Sequence, residues 1–317
     1  MTLPFDRRSI PSTARISSWA TADGWPLRRF DWPAAGPPRG SILFHAGRGD
    51  MVEKYLETLA HWHKQGWSVT SFDWRGQGGS GRLSRDPLVG HIEDFATYVE
   101  DFGAFWEHWA PAAPGPRVLI GHSMGGHLVL RALVERVAAP AAAVLVAPML
   151  GLRTALGLTV SERLARIVAG MGDATRRAWR DGVRPVTPYT RENILTHDPD
   201  RYADELWWQD HAPELRIGPP SWRWVVQAFA STRLMRRDPR LPAMAVPVLM
   251  LVADADRLVL AKAAVAIAAQ LPDVRLVRFG REAAHELLRE ADRVRDRALG
   301  EIDDFLAARA PPVARAA

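Results

Sequence analysis

The sequence predicts an α/β fold in which helices cover both faces of a mostly parallel sheet. Three observations lead to this prediction. Short, continuous apolar runs alternate with longer segments of helical periodicity, as strands buried on both faces require. The alternation lapses only between residues 148 and 241, which suggests an insertion. A Gly-x-Ser-x-Gly sequence at residues 121–125 joins one apolar run to a helical segment.

The predicted strands are short apolar runs that begin after turn-forming residues. An Asp-Gly turn precedes the first, the stretch AAGPPRG precedes the second, and Gly66 precedes the third. The seven candidates are residues 25–30, 41–45, 68–72, 118–121, 143–146, 248–252 and 274–279.

Helices are predicted between these strands from apolar positions spaced three and four residues apart. Residues 51–65 carry such a pattern, residues 91–109 repeat it, and residues 124–137 follow the Gly-x-Ser-x-Gly sequence. In the insertion, residues 160–171 and 222–229 have the same period. Ser221 is the expected N-cap of the second of these helices.

The predicted division of the chain is one domain with a cap inserted after the sixth strand, in the strand count of the α/β-hydrolase fold that is introduced below. The insertion is dense in Trp, Arg and Pro, which sets it apart from the alternating segments. The expected parts are residues 1–150 as the first half of the core, 151–241 as the cap, 242–309 as the second half, and 310–317 as a mobile tail.

Composition excludes several classes of protein. The chain of 317 residues has no cysteine, which rules out disulfides, thiolate nucleophiles and Cys-ligated metals. Its net charge of +5 is spread along the sequence, without the concentrated patch that nucleic-acid binding needs. No apolar run approaches the roughly 20 residues of a membrane span, and the first residues lack a secretory apolar block. We therefore expect a soluble, cytoplasmic protein.

Ser123 is the predicted nucleophile. The strand RVLIG precedes its motif and the helix HLVLRALVERV follows, so the serine would lie on a sharp turn at the carboxyl edge of the sheet. Gly121 and Gly125, on either side of His122, keep side chains out of the strand-helix crossing. The amide of Met124, at the helix start, can stabilise an oxyanion. A glycine-rich turn without chemistry is the simpler alternative.

A serine hydroxyl needs a histidine base, and the histidine needs a carboxylate that orients it. His285 follows the last predicted strand, and Asp254 and Asp256 follow the strand before it. The order serine, acid, histidine is that of the α/β-hydrolase fold. The other nine histidines precede or adjoin the serine or lie in the insertion, which leaves His285 as the expected base.

These segments together resemble a family of serine hydrolases that includes bacterial lysophospholipases and monoacylglycerol lipases. This family is also labelled serine aminopeptidase S33. The resemblance runs from about Arg28 to Phe305 and rests on GHSMGG, on DWRGQGGS at residues 73–80, and on the sequences around Asp256 and His285. It implies the α/β-hydrolase fold with a helical cap. It also implies that Asp256 is the catalytic acid, with Asp254 as a rival whose ordinary role would be structural.

The family resemblance also implies a second oxyanion donor just after the third strand. If Ala46-Gly47 takes the place of the family's His-Gly pair, the donor is the amide of Arg48; if His45 is the family histidine, it is Gly47. We expect Arg48. The same resemblance, in the cap stretch at residues 193–202, favours lysophospholipid over monoacylglycerol as the substrate.

The sequence therefore predicts a carboxylic ester hydrolase that needs neither a metal nor an organic cofactor. The cap helices would line an apolar tunnel for an acyl chain, or pack inside the cap, and the cap is the predicted place of any contact with membrane lipid. One alternative is a peptidase of the same fold, in which Glu192, Glu205 or Glu214 would hold a substrate amine. Another is a non-catalytic lipid or small-molecule binder. Head group, acyl length and oligomeric state are not encoded in any pattern of the sequence.

Overall fold

A central sheet organises the protein. The computed structural model describes residues 5–179 and 191–312. The strands are β1 (Arg15–Ala20), β2 (Pro26–Trp32), β3 (Gly40–His45), β4 (Trp67–Phe72), β5 (Arg117–His122), β6 (Ala142–Val146), β7 (Val248–Ala253) and β8 (Val274–Phe279). Their order in the sheet is β1-β2-β4-β3-β5-β6-β7-β8. The pairings of β2 with β1 and β4 are antiparallel, and the others are parallel, so the predicted fold class is confirmed.

Helices cover the sheet on both faces and also form the insertion between β6 and β7. They are α1 (Leu56–Lys64), α2 (Phe95–Trp109), α3 (Met124–Val134), α4 (Leu158–Gly170), α5 (Arg191–Leu195), α6 (Pro199–His211), α7 (Trp222–Met235), α8 (Ala261–Ala268) and α9 (Asp292–Arg309). One core layer contains side chains of α2, α3 and α8, and the other contains side chains of α1 and α9.

The parallel strands supply both layers. In β3, Ile42 and Phe44 belong to the layer shared with α1 and α9, whereas Leu43 belongs to the opposite layer. In β5, Val118 and Leu119 divide in the same way. All five are completely buried, which explains why these strands read as continuous apolar runs.

Three differences from the predicted elements have a local physical cause. The strand β1 escaped prediction because this edge strand is largely exposed and lacks the apolar run of a buried strand. The helix α2 begins at Phe95 and not at residue 91, since the side chain of Asp94 accepts a bond from the amide of Ala96 at 2.8 Å and caps the helix. The helix α3 ends at Val134, where Arg136 adopts a left-handed φ of 61° and stops the helical path.

The insertion consists of helices stacked beyond the carboxyl edge of the sheet. Helix α4 packs on α7, and Ser221 caps α7 by accepting a bond from the amide of Trp224 at 3.0 Å, as predicted. Of the tail predicted at residues 310–317, residues 313–317 lie outside the described residues, as do residues 180–190 of the predicted cap. Within the described ranges, no helix combines the length and the apolar character that crossing a membrane requires.

Candidate active site

Ser123 lies on a sharp turn between β5 and α3. Its backbone has φ 52° and ψ −116°, a conformation that residues other than glycine rarely adopt. The Ser123 amide donates to the carbonyl of Val146 at 3.0 Å, and its own carbonyl accepts from the amides of His127 at 3.0 Å and Met149 at 2.9 Å. These three bonds hold the strained conformation, which raises the hydroxyl above the sheet edge.

The two predicted elbow glycines lie where no side chain fits. A Cβ atom on Gly121 would lie 2.6 Å from the carbonyl oxygen of Gly125. A Cβ atom on Gly125 would lie 2.4 Å from the carbonyl oxygen of His45, in the neighbouring strand β3. The strand and helix cross so closely here that only glycine is compatible with the turn.

Ser123, His285 and Asp256 form one hydrogen-bonded chain. The Ser123 Oγ atom lies 2.8 Å from His285 Nε2, and His285 Nδ1 lies 2.6 Å from Asp256 Oδ2. His285 and Asp256 are buried, whereas Ser123 is half-buried. With the Nδ1 proton directed at the carboxylate, Nε2 accepts the serine proton, which is the arrangement that acyl transfer needs.

Asp256, and not Asp254, faces the histidine. The second carboxylate oxygen of Asp256 accepts bonds from the amides of Leu258 at 2.7 Å and Val259 at 3.0 Å, so its orientation is fixed. Asp254 is exposed and pairs with Arg278 on β8 at 2.9 Å. The geometry therefore gives Asp254 a structural role and brings only Asp256 to the histidine.

The charges around His285 tune its protonation. Burial opposes a positive charge on the ring, but Asp256, Glu286 and Asp50 outweigh it and raise the pKa of His285 above its ordinary value. Burial also disfavours the charged Asp256, yet the charge and hydrogen bond of His285 lower the pKa of this carboxyl. A histidine that acts as a general base must be neutral, so we expect any activity that depends on His285 to decline as the pH falls through its raised pKa.

Of the two predicted oxyanion donors, Met124 adjoins Ser123, and Arg48 follows a glycine that lies beside Ser123. Met124 is the first residue of α3, and its amide is one of the four that a helix start leaves without an intrahelical acceptor. A Cβ atom on Gly47 would lie 3.1 Å from Ser123 Cβ, so the loop after β3 runs beside the nucleophile. The Gly47 amide, however, donates to Asp50 Oδ2 at 3.0 Å. The alternative donor is thus committed inside the loop, and the Arg48 amide stays our prediction.

Two residues behind the site, Asp50 and Tyr55, were missed as functional candidates, and both contact the predicted elbow residue His122 or its partner. The Tyr55 hydroxyl donates to Asp50 Oδ2 at 2.9 Å and lies 2.9 Å from His122 Nδ1. The other ring nitrogen of His122 lies 3.3 Å from the carbonyl oxygen of His285. The elbow histidine therefore faces away from the serine and ties the loop of the base to the loop after β3.

The three carboxylates of the peptidase alternative lie in different environments. Glu205, on α6, is fully buried and pairs with Lys54 at 3.0 Å and with two arginines. Three cations already neutralise this carboxylate, which lowers its pKa to about 2 although burial opposes the charge. Glu214 is exposed and Glu192 is half-buried. Glu205 is therefore already paired with cations of the protein, which disfavours it as the group that holds a substrate amine.

One apolar face of helix α4 fits neither interpretation that the sequence suggested for it. Val160, Leu164, Ile167 and Met171 are 49%, 44%, 59% and 71% exposed. Among the described residues, these four side chains neither pack inside the insertion nor line an enclosed tunnel, whereas Val225 and Phe229 of α7 are buried. The reason is that the opposite side of α4, with its small Ala165 and Ala169, is the one that is buried.

Comparison with known proteins points to one family. A family model described as "Serine aminopeptidase, S33" matches residues 36–292. "Lysophospholipase L2" of Escherichia coli strain K12 is 32% identical over 282 residues, which cover 83% of this chain and 79% of that protein. "Monoacylglycerol lipase" of Mycolicibacterium smegmatis is 30% identical over 121 residues, 38% of this chain and 41% of that protein.

A solved structure shows the same fold. A soluble variant of the monoglyceride lipase of Saccharomyces cerevisiae, in complex with a substrate analog, superimposes with a TM-score of 0.74. The match covers 97% of this chain and all of that one, at 16% sequence identity. At this sequence identity the likeness supports the α/β-hydrolase fold alone, and not a particular chemistry.

Proposed function

Because this chain belongs to the serine aminopeptidase S33 family and is a serine ester hydrolase, we propose that it cleaves the acyl ester of lysophospholipids with Ser123 as nucleophile. The observation that carries the proposal is the chain Ser123, His285, Asp256, with distances of 2.8 and 2.6 Å, on a strained turn at the carboxyl edge of the sheet. The S33 label includes peptidases, but the buried and neutralised Glu205 disfavours recognition of a substrate amine.

In the proposed mechanism, Nε2 of His285 takes the proton of Ser123 as Oγ attacks the ester carbonyl. The amides of Met124 and Arg48 stabilise the oxyanion, and Asp256 stabilises the imidazolium. The protonated His285 then gives its proton to the leaving alcohol, which leaves an acyl-serine. Water, deprotonated by the same histidine, releases the fatty acid.

Two features support a lysophospholipid substrate. The likeness to the E. coli lysophospholipase spans both halves of the core and the segment between them. The exposed face of α4 offers apolar side chains beside the exposed arginines Arg163 and Arg166, a combination suited to a surface of acyl chains and phosphates. We propose that residues 151–241 form the cap and that α4 is its contact with aggregated lipid.

The test of substrate class compares lysophosphatidylcholine with a monoacylglycerol of the same acyl chain, and adds an aminoacyl amide as the peptidase substrate. We expect release of free fatty acid to be fastest from lysophosphatidylcholine, slower from the monoacylglycerol, and no cleavage of the amide. Preferential cleavage of the amide would replace our proposal by the peptidase. Turnover of none of them would leave only a small soluble ester or a binding protein.

The contact with lipid predicts a defect that depends on the state of the substrate. Replacing Ile167 and Met171 together by glutamate should weaken binding to vesicles containing anionic lipid about tenfold or more, because two apolar side chains lose their burial in lipid. Turnover of micellar lysophospholipid should fall with it, whereas turnover of a short, monomeric ester should not change. Vesicle co-sedimentation and paired assays measure these effects.

The matched control is Ile16→Glu on β1, an exposed apolar residue (38%) outside the cap. This variant should bind vesicles as the wild type does. Equal binding by the wild type and the Ile167/Met171 variant would contradict the role of α4.

A further inference from the structure

A buried lysine lies at the centre of an ion cluster behind the active site. Lys54 Nζ lies 2.5 Å from Asp50, 2.8 Å from Glu286 and 3.0 Å from Glu205. The Lys54 side chain is only 1% exposed. This lysine follows the loop after β3, and its three partners come from that loop, from the residue next to His285, and from the cap helix α6.

Among residues 5–179 and 191–312, the members of the cluster are balanced in charge. Arg289 pairs with Glu286 and with Glu205, and Arg191 pairs with Glu205. Three cations thus face three carboxylates: Lys54, Arg191 and Arg289 against Asp50, Glu205 and Glu286. Removing one member leaves a buried charge without its partner, so each carboxylate is held in place by the cations around it.

Asp50 connects the cluster to the loop beside Ser123. One of its carboxylate oxygens pairs with Lys54, and the other accepts the amide of Gly47 at 3.0 Å and the Tyr55 hydroxyl at 2.9 Å. Gly47 is packed against Ser123, and the next amide along the loop is that of Arg48. The position of the proposed oxyanion donor thus depends on Asp50.

The cluster also faces the base. Glu286 directly follows His285, and its carboxylate pairs with Lys54. The charges of Glu286 and Asp50 act on the ring of His285 in the same sense as that of Asp256. The titratable and charged groups around His285 are Asp256 from the loop after β7, Glu286 and Arg289 from its own loop, His122 from the elbow, and Asp50, Lys54 and Tyr55 from the segment after β3.

We propose that Lys54 and Asp50 are a pair of positioning residues, which hold the loop of the oxyanion donor against Ser123 and balance the charge behind His285. Neither residue touches the reacting atoms. This proposal rests on the proposed function only in that Ser123 and His285 perform the reaction. It does not depend on which lipid is the substrate.

The experiment measures the pH profile of hydrolysis of a short p-nitrophenyl ester by Lys54→Met and Asp50→Asn. Both variants should lose about 10- to 100-fold in kcat with little change in KM, because the donor is displaced and not the substrate. The acid limb of the kcat/KM profile should move in opposite directions in the two variants. Loss of the cation should shift it to higher pH and loss of the carboxylate to lower pH, each by about half a pH unit.

Asp101→Asn is the control, since it breaks a buried pair of the same kind, with Arg75 at 2.8 Å, on α2 and away from His285. This variant should unfold at a lower temperature but keep the kcat and the acid limb of the wild type. If Lys54 and Asp50 were merely structural, their variants would behave like Asp101→Asn, and that result would overturn the proposal.

The outcome of this test depends neither on whether Lys54→Met folds nor on whether lysophosphatidylcholine is the substrate. Should Lys54→Met not fold, the nearly isosteric Asp50→Asn decides alone: a lowered kcat with a downward shift of the acid limb supports the proposal, and an unchanged profile overturns it. Failure of the wild type on lysophosphatidylcholine would count against the proposed substrate only, because the p-nitrophenyl ester reports on the triad directly.

Discussion

Replacing Ser123 with alanine is expected to abolish ester hydrolysis, with a loss of about 10⁴- to 10⁶-fold in kcat. The hydroxyl is the proposed attacking group, and no other side chain occupies its place 2.8 Å from His285 Nε2 in the described structure. Covalent labelling by a fluorophosphonate should vanish as well. Alanine keeps a side chain of similar size on the strained turn, so the thermal unfolding temperature should stay close to that of the wild type.

The chain offers a matched control for this prediction. Ser231 and His127 form another serine-histidine pair, at 2.7 Å, which is buried, and Nδ1 of His127 has no hydrogen-bond partner among the described residues. Burial lowers the pKa of His127 to about 3, so this ring is a weak base. Ser231→Ala should keep both hydrolysis and labelling. Persistent labelling of Ser123→Ala would refute Ser123 as the nucleophile.

The sheet could be predicted because its strands are buried on both faces. A completely buried strand such as β6 or β7 must be apolar at every position, and one sequence suffices to show such a continuous apolar run. The edge strand β1 has no such run, because water covers much of it and polar side chains are tolerated there. Local capping by Asp94 likewise overrode the helical period at the start of α2.

The candidate site could be predicted in part. Ser123 and His285 stand out because the elbow needs glycines at fixed places and the base must follow the last strand. No motif in the sequence singles out Lys54 or Glu286, although Lys54 is one of three lysines in a chain whose other strongly basic side chains are arginines. Their pairing joins residues 232 positions apart, and no local pattern in one sequence encodes a contact of that range.

The exposed face of α4 shows a second limit. Its period predicted an amphipathic helix correctly, but the same period fits packing inside a cap, lining a tunnel, or facing a lipid surface. Which side is buried depends on the neighbouring helix: α4 packs on α7, and its buried side contains the small Ala165 and Ala169. The sequence determines the two faces of the helix, whereas the tertiary structure determines which of them meets the solvent.

Replacing Asp256 with asparagine is expected to lower kcat about 10⁴-fold at neutral pH while leaving the fold intact. One oxygen of this side chain accepts the amides of Leu258 and Val259. The asparagine oxygen should keep these two bonds, which turns its NH₂ group toward Nδ1 of His285. Nδ1 then has to accept a hydrogen bond, the ring proton moves to Nε2, and the nitrogen facing Ser123 can no longer take its proton.

Asp254→Asn is the matched control, because this second aspartate of the same loop pairs with Arg278 at the surface and should be replaceable with little effect on kcat. Steady-state kinetics on a soluble ester, with circular dichroism for the fold, compare the two variants. A large loss with Asp254→Asn and a small one with Asp256→Asn would reverse the assignment of the acid. Comparable losses in both would mean that the loop after β7, and not one carboxylate, is what the histidine requires.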